Sequence, residues 1–309
     1  MELVIIGNGF DIQHGLNTRY SDFRKFLEKN HNEFLLEFEK EFSINHNSLW
    51  GNLEENIGNI DMLSEVGYTP EELGLETEDI DIKYTLDVTY LERYSYIENF
   101  PEYLLEWIKS VVQYEGINKN IIFSNETKFI NFNYTEILEK IYGINEDRIL
   151  HIHGSVSSED LIFGHNMDET LYSLEGGLDE AHIQRIEHIE VLLPHLINYL
   201  EITKKNTEEC SKKLESFLIN IGNIDSIIVI GSSISNVDSN YFRTIDAKTN
   251  NNCRWIVYYY VGDNENVVDK EGKYREKLNK IGIDENRFEL RKNSEFFNCF
   301  NNRNTLFDI

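Results

Sequence analysis

The chain begins with Met1-Glu2-Leu3-Val4-Ile5-Ile6-Gly7-Asn8-Gly9-Phe10-Asp11, and this segment indicates the class of the fold. The four apolar residues from Leu3 to Ile6 are typical of a central parallel strand, because such a strand is buried on both faces. A glycine turn follows the strand directly, and a helix is predicted after the turn. A strand, a glycine turn and a helix in this order indicate an α/β nucleotide-binding domain.

Strand and helix patterns alternate along much of the remaining chain. Apolar runs predict further strands at residues 128–132, 149–154, 161–164, 226–230, 254–261 and 287–290. Helical patterns fall at residues 136–142, 179–218 and 240–247, and Pro194 is expected to kink or divide the longest of them. We therefore predict an α/β fold with a mostly parallel, Rossmann-like sheet and helices on both faces.

A different pattern occupies residues 24–115, where apolar residues such as Phe34 and Phe38 recur at steps of three and four, as in a helix. This segment is predicted to be a large, mostly helical insertion, with an acidic loop at 71–81. The α/β domain then consists of residues 1–23 and 116–309.

Composition and charge exclude several classes of protein. The 309 residues are 40% hydrophobic, and 29 basic against 55 acidic residues give a net charge of −26. This charge argues against nucleic acid and anionic membranes as partners. No apolar run approaches the roughly 20 residues of a membrane helix. The chain start lacks the basic region of a signal peptide.

The three cysteines, Cys210, Cys253 and Cys299, are far apart and form no Cys-x-x-Cys pair. Neither a disulfide framework nor a thiolate zinc site is therefore expected. A reducing compartment fits this pattern, and we expect a cytoplasmic protein.

The glycine turn Gly7-Asn8-Gly9-Phe10-Asp11 is the first candidate site. Glycines there let the backbone approach a phosphate, and the start of the helix adds free N–H groups and a positive dipole end. The Rossmann fingerprint is incomplete, because the third glycine is missing and the next one is Gly15. Alternatively, the glycines only form a tight turn, and Asp11 is an ordinary acid in a first helical turn.

Asn133 stands where the strand at 128–132 is expected to end. An amide there can hold a ribose hydroxyl or a water, because ligands bind outside the carboxyl ends of parallel strands. The alternative is an asparagine that caps the next helix or forms a turn.

His151 and His153 belong to the following strand, and residues i and i+2 of a strand share a face. One imidazole could act as a general base, since its ordinary pKa lies near neutral pH. No spacing supplies the further ligands of a metal site, so no metal is expected. A histidine that is only hydrogen-bonded in the core is the plain alternative. Gly154 predicts a close approach of the backbone.

Small hydroxyl residues follow a fourth strand, in Gly231-Ser232-Ser233-Ile234-Ser235 with Asp238 after them. They can bind phosphate through side chains and N–H groups, or they can cap a helix. The chain has no Gly-x-Ser-x-Gly elbow and no Walker lysine, which disfavours serine hydrolases and excludes ordinary P-loop NTPases. All four clusters are predicted at carboxyl ends of strands, which favours one crevice for a phosphate-bearing small molecule.

Several segments spread over nearly the whole chain belong to one family pattern. They are residues 7–11 with 14–16, Thr18, Tyr20 and Phe23, then 132–135 with Glu139, then 151–154, and finally 231–233 with Asp238. This pattern resembles the bacteriophage abortive-infection family AbiH. Part of it is also similar to sirtuin-like NAD-binding domains.

The sirtuin-like resemblance implies roles for individual residues. Asn133 would orient the nicotinamide ribose, and His153 would be the catalytic histidine. The implied NAD-binding residues are Gly7, Asn8, Gly9, Phe10, Asp11, Thr18, Tyr20, Gly231, Ser232, Ser233 and Asp238. The sequence departs from the sirtuin-like pattern at Thr135, where an aspartate is usual, and at Asn8, where a small residue is usual. It also lacks zinc-binding cysteines, so protein deacylation is not expected.

These resemblances imply an antiphage effector that binds NAD and hydrolyses its nicotinamide–ribose bond, which depletes NAD in infected cells. The alternative is a non-catalytic sensor of a nucleotide or an ADP-ribose-type signal that acts through a partner. Expected partners are a dinucleotide, a second copy of the chain and a phage-derived trigger. The helical segments 24–115 and 179–218 are candidates for regulation or oligomerisation, with ordinary packing as the alternative.

Overall fold

The computed structural model of the protein describes residues 1–42, 44–59, 82–118, 121–166, 189–250, 252–261 and 266–301. The loop predicted at 71–81 and the part of the predicted helix before residue 189 lie outside these residues. The chain forms two compact units. The first comprises Met1–Arg19, Leu105–Ile162 and Thr207–Ile309, and the second comprises Tyr20–Leu104 and Phe163–Asn206. The domain boundaries expected near residues 23 and 116 stay a prediction.

The first unit contains a six-stranded parallel sheet. Its strands are β1 (Glu2–Ile6), β2 (Lys128–Asn131), β3 (Ile149–His151), β4 (Ser226–Ile230), β5 (Arg254–Tyr259) and β6 (Phe288–Lys292). They lie in the order β3-β2-β1-β4-β5-β6, and every neighbouring pair is parallel. The predicted α/β fold with a parallel sheet is confirmed. This strand order reverses direction between β1 and β4, where doubly wound folds bind ligands.

The position of β1 follows from its composition. Leu3 and Ile5 pack into the apolar cluster on one face of the sheet, and Val4 and Ile6 pack into the cluster on the other face. Only a strand with neighbours on both edges and helices on both faces can bury such a continuous apolar run.

Helices occupy the connections between the strands. In chain order they are α1 (Asn8–Gln13), α2 (Tyr20–Asn30), α3 (Asn32–Lys40), α4 (His46–Gly51), α5 (Leu53–Asn56), α6 (Ile82–Ser95), α7 (Phe100–Val111), α8 (Ile137–Lys140), α9 (Ile189–Ile202), α10 (Thr207–Asn220), α11 (Ser239–Ala247), α12 (Val267–Ile281) and α13 (Asn293–Asn301). Residues of α10, α11 and α12 pack on one face of the sheet, and residues of α1, α8 and α13 pack on the other. Helices therefore cover both faces, as predicted.

The strand predicted at residues 161–164 is wrong. Ile162 is buried, but its N–H donates to the carbonyl of His153 and its carbonyl accepts from the Tyr134 hydroxyl. Ile162 is held by these bonds to the segments after β2 and β3, so its burial does not require a strand neighbour.

The prediction that Pro194 divides the helix is wrong, because Pro194 lies inside α9, and the alternative of a kink stays a prediction. The helix ends instead after Ile202. There the Thr203 hydroxyl donates to the carbonyl of Tyr199, and the chain pairs with His165 through the N–H of Lys205.

The second unit contains the aromatic helical segment recognised from its periodicity. Phe23, Phe34 and Phe38 are buried in α2 and α3. Glu39 is buried beside them, and its carboxylate accepts from Trp50 and Arg24 at 2.7 Å each.

No helix within the described ranges is both long enough and apolar enough to cross a membrane.

Candidate functional site

The loops after β1 and β4 touch each other at the point where the strand order reverses. The N–H of Gly7 donates to Ile230, and the N–H of Gly9 donates to the carbonyl of Gly231 at 2.8 Å. A Cβ atom at Gly7 would lie 2.6 Å from the Cα of Ser232, and one at Gly9 would lie 2.7 Å from the Cα of Gly231. The glycines therefore permit close packing of these two loops.

These contacts occupy N–H groups that could otherwise donate hydrogen bonds to a phosphate. Gly9 donates to Gly231, and Phe10 donates to the carbonyl of Gly7. Helix α1 has only six residues. The tight-turn interpretation of the glycines thus has a direct structural basis, and the contribution of this turn to ligand binding stays a prediction.

Asp11 joins the glycine turn to the segment after β2. Asn133 donates from Nδ2 to Oδ1 of Asp11 at 2.7 Å, and the Thr135 hydroxyl donates to Oδ2 at 2.7 Å. The Asp11 side chain is buried, with 1% of its surface exposed. Burial raises the pKa of Asp11 to about 7, although both hydrogen bonds and the nearby His151 favour the ionised form.

Asn133 is held from two sides. Its Nδ2 also donates to the carbonyl of Gly7 at 3.1 Å, and 7% of the residue is exposed. The turn that Asn133 was alternatively expected to form is made by Asn131, whose Oδ1 accepts from the N–H of Asn133. Helix α8 has no side-chain cap. The Asn133 side chain therefore does not cap α8, and its N–H closes a turn with the Asn131 side chain.

His151 and His153 have different neighbours. Nε2 of His151 lies 2.7 Å from Oε1 of Glu139 on α8, whereas the ring of His153 packs edge-on against Phe132 with ring centroids 5.2 Å apart. Helix α8 and Phe132 belong to apolar clusters on opposite faces of the sheet. The prediction that both imidazoles share a face is wrong, because β3 ends at His151 and the alternation of side chains stops there.

His153 is paired with an acidic residue from the loop after β4. Its Nε2 lies 3.4 Å from Oδ1 of Asp238, and 3% of His153 is exposed. The Ser235 hydroxyl donates to the other oxygen of Asp238 at 2.9 Å. A buried imidazole beside an oriented carboxylate can accept a proton and have the resulting charge stabilised.

Gly154 explains the sharp turn after His153. Its φ is +79°, and a Cβ atom there would lie 1.8 Å from the carbonyl oxygen of Asp160. The predicted close approach of the backbone is confirmed, and it positions His153 beyond the end of the strand.

The serine loop after β4 is held by helix α12, a helix that the sequence pattern did not predict. The Tyr274 hydroxyl donates to the carbonyl of Ser232 at 2.9 Å, and Nζ of Lys277 donates to the carbonyl of Ser233 at 2.8 Å. The three-residue spacing places Tyr274 and Lys277 on one face of a helix. No feature of the sequence, however, predicts that this face contacts the serine loop.

These contacts orient the peptide groups of the loop. The carbonyl and N–H of a trans peptide point in opposite directions. Because the carbonyls of Gly231 and Ser232 accept from Gly9 and Tyr274, the N–H groups of Ser232 and Ser233 point away from those donors. Within the described ranges neither N–H donates to a protein acceptor. Two free N–H groups in succession can receive an anion.

The same loop has a strained backbone. Ile234 has a φ of +49°, a left-handed conformation that β-branched residues rarely adopt, and it is buried. Its N–H donates to the hydroxyl of Ser232, so the Ser232 side chain stabilises this conformation. Strain of this kind persists only where surrounding contacts enforce it.

The remaining predicted site residues have other partners. Asn8 and Thr18 bond to each other, with Nδ2 of Asn8 donating to the Thr18 carbonyl at 2.7 Å. Phe10 is buried in the apolar cluster beside Tyr142. Tyr20 belongs to the second unit, where its hydroxyl donates to Glu54. In the described part of the chain, no three His, Cys, Asp or Glu side chains are grouped to hold a metal ion.

A cleft of about 550 Å³ opens beside α1 in the first unit. Its described lining consists of residues 13–17, 110–111, 113 and 115–118. This lining contains neither Asn133 nor His153, and it offers no lysine or arginine to a phosphate.

Comparison with known proteins identifies the family. The family model described as bacteriophage abortive infection AbiH matches residues 3–259, which include β1 from Leu3 onward, strands β2 to β5 and all four strand-end segments. No curated protein and no solved structure matches the chain. The match covers most of the 309 residues, so the resemblance to the AbiH family is confirmed, and the sirtuin-like resemblance stays a prediction. The chain belongs to the bacteriophage abortive infection AbiH family.

Proposed function

We propose that this protein serves phage abortive infection by binding NAD at the carboxyl edge of β1, β2, β3 and β4 and hydrolysing the nicotinamide–ribose bond. The family match supports the role in abortive infection. The main observation in favour of the chemistry is the convergence of four distant segments. Asn133 bonds to the glycine turn, the glycine turn packs on the serine loop, and His153 pairs with Asp238 of that loop.

In the proposal, each element of the site has a distinct task. The free N–H groups of Ser232 and Ser233 receive the pyrophosphate, which local dipoles must attract because the net charge is −26. Asn133 holds the nicotinamide ribose. His153 is the general base, and Asp238 stabilises its protonated form.

The reaction follows from this arrangement. The bond between ribose C1 and the nicotinamide nitrogen breaks, and its electron pair leaves with nicotinamide. Positive charge develops on the ribose, as in other glycosidic cleavages. Water forms the new C–O bond and gives its proton to His153. The products are nicotinamide, ADP-ribose and a proton.

The burial of the site suggests how activity is controlled. Asn133 and His153 are each less than one tenth exposed. In the proposal this is the idle form, and the loop at 231–238 must move before NAD can enter. Such control suits an enzyme that would be toxic if it were always active.

The test compares NAD in infected cells that produce the wild-type chain, His153→Gln or the control His46→Gln, a substitution at an exposed histidine. We expect NAD loss and nicotinamide release with the wild type and the control, and neither with His153→Gln. Protection from phage without NAD loss would overturn the proposed reaction. Unchanged NAD loss in His153→Gln would overturn the role of His153.

One observation favours a second candidate function, a sensor that binds nucleotide without cleaving it. Nδ2 of Asn133 already contacts two protein acceptors, Gly7 and Asp11, which also suits a purely structural amide. Calorimetry with ADP-ribose distinguishes the two functions. Binding of ADP-ribose, with no nicotinamide released from NAD in infected or uninfected extracts, is the result expected of a sensor.

A further inference from the structure

We infer that Asp11 is a positioning residue that fixes the amide of Asn133 with its oxygen presented to the ligand, so that the recognised ligand group is a hydroxyl donor. This inference rests on the proposed function, because it names the chemistry that the same site selects. It concerns a carboxylate that the proposed reaction does not otherwise use.

The orientation of the Asn133 amide is set by two acceptors. Nδ2 lies 3.1 Å from the carbonyl oxygen of Gly7 and 2.7 Å from Oδ1 of Asp11. When Asp11 is ionised, a flipped amide would place its oxygen against both of these oxygens, with no hydrogen between them. The hydrogens therefore point into the protein, and Oδ1 of Asn133 points away from Asp11.

The amide oxygen of Asn133 remains available to accept a hydrogen bond from a ligand. Among the described residues no donor bonds to Oδ1 of Asn133, and this atom is not sealed from solvent. A side chain that is more than nine tenths buried normally satisfies all of its polar atoms. An acceptor left open at the carboxyl edge of the sheet suits a ligand that brings its own donor.

Thr135 fixes Asp11 in turn. Its hydroxyl donates to Oδ2 at 2.7 Å, while Asn133 occupies Oδ1. Both donors come from the segment after β2, and Asp11 comes from α1 after β1. The carboxylate thus holds the two loops together and aligns Asn133 between them.

Other ionisable groups lie near Asp11 and influence its protonation. His151 faces it from the end of β3 and favours the ionised form, and His151 itself contacts Glu139. The Tyr114 hydroxyl also interacts with Asp11, and it accepts from the N–H of Glu136. Protonation places an O–H donor on the carboxyl, so that one fully accepting oxygen remains for the two donors, Asn133 and Thr135.

The ligand chemistry follows from the presented oxygen. An acceptor attracts a hydroxyl and repels a phosphate or carboxylate oxygen, so Asn133 is suited to a sugar and not to the pyrophosphate. A single hydrogen bond of this kind changes affinity by about tenfold.

The first experiment measures binding of ADP-ribose and of an analogue in which one hydroxyl of the terminal ribose is replaced by hydrogen. The wild-type chain and the exposed-acid control Asp147→Asn should prefer ADP-ribose about tenfold. Asp11→Leu, which removes the acceptor, should lose most of this preference, and Thr135→Val should lose part of it. Equal preference in the wild type and Asp11→Leu would overturn the inference.

A second measurement does not depend on the proposed reaction. In protein labelled with ¹⁵N-asparagine, the side-chain signals of Asn133, assigned by Asn133→Ala, should shift with pH around a midpoint near 7 in the wild type and stay constant in Asp11→Asn. If the Asn133 side-chain signals of the wild type did not change with pH, the inference would be overturned. Failure of ADP-ribose to bind, with the pH shift intact, would count against the proposed function alone.

Discussion

Asn133 lies 122 positions after Asp11 in the chain, and its amide nitrogen donates a hydrogen bond of 2.7 Å to the Asp11 carboxylate. The contact forms because β1 and β2 are parallel neighbours, so the residues after both strands emerge at the same edge of the sheet. A buried carboxylate at this edge has consequences for stability as well as for ligand binding.

The free energy of unfolding should depend on pH through Asp11. Burial raises the pKa of this carboxyl from 3.8 to about 7, so the folded state favours the protonated form. This contribution to stability is fully present below pH 3.8 and is lost as the pH rises through about 7. Between pH 4 and 8 the wild type should therefore lose stability relative to Asp11→Asn, by on the order of 4 kcal/mol or less.

Urea unfolding of both proteins at several pH values measures this difference. Taking the difference between the two chains removes the effect of other titrating groups. If the free energies of unfolding of the wild type and Asp11→Asn changed equally with pH, Asp11 would have the same pKa in the folded and unfolded states.

Asp238→Asn should reduce the release of nicotinamide by about a hundredfold or more, because the imidazole of His153 loses the charge that stabilises its protonated form. Asp269→Asn, at an exposed position in the first turn of α12, is the matched control and should keep full activity. Single-turnover assays with activated protein separate this effect from NAD binding. Equal rates in both variants would remove Asp238 from the mechanism.

Tyr274→Phe and Lys277→Met should each weaken the binding of ADP about fivefold to tenfold, because each loses one hydrogen bond that orients the serine loop. Lys273→Met changes an exposed lysine on the same helix and should bind like the wild type. Calorimetric dissociation constants test this prediction. If Lys273→Met weakens ADP binding as much as Lys277→Met, the effect is one of net charge and the orientation argument fails.

Gly154→Ala should lower the free energy of unfolding by on the order of 3 kcal/mol, since the new methyl group meets the carbonyl of Asp160 in a left-handed backbone conformation. Gly116→Ala provides the control, because Gly116 has a φ of +81° and no atom within 4 Å of the added Cβ. It should cost only about 1 kcal/mol. Denaturant titrations give both values, and equal losses would show that the close contact relaxes without cost.

Much of the fold could be predicted from local pattern. The apolar run from Leu3 to Ile6 indicates a strand buried on both faces, and parallel strands release their following residues at one edge. Asn133 and the serine loop contact the glycine turn, as this pattern leads one to expect, and His153 contacts Asp238 after β4. This expectation depends only on the strands being parallel.

Other features depend on where elements stop. The alternation that would place His151 and His153 on one face ends with β3 at His151, and the next turn sends His153 to the other side. Pro194 remains inside α9 although proline weakens a helix. In both cases the bounds of the element in the folded chain differ from those that the local pattern predicts.

The amino-acid pattern alone established the α/β class, the edge where the polar residues gather and the family. The hydrogen bonds from Asn133 to Asp11 and from Tyr274 and Lys277 to the serine loop were visible only in the folded chain. Residues far apart in the chain meet according to the order of the strands and the direction that each helix faces. Both depend on how the whole core packs, and a local run of residues does not specify that.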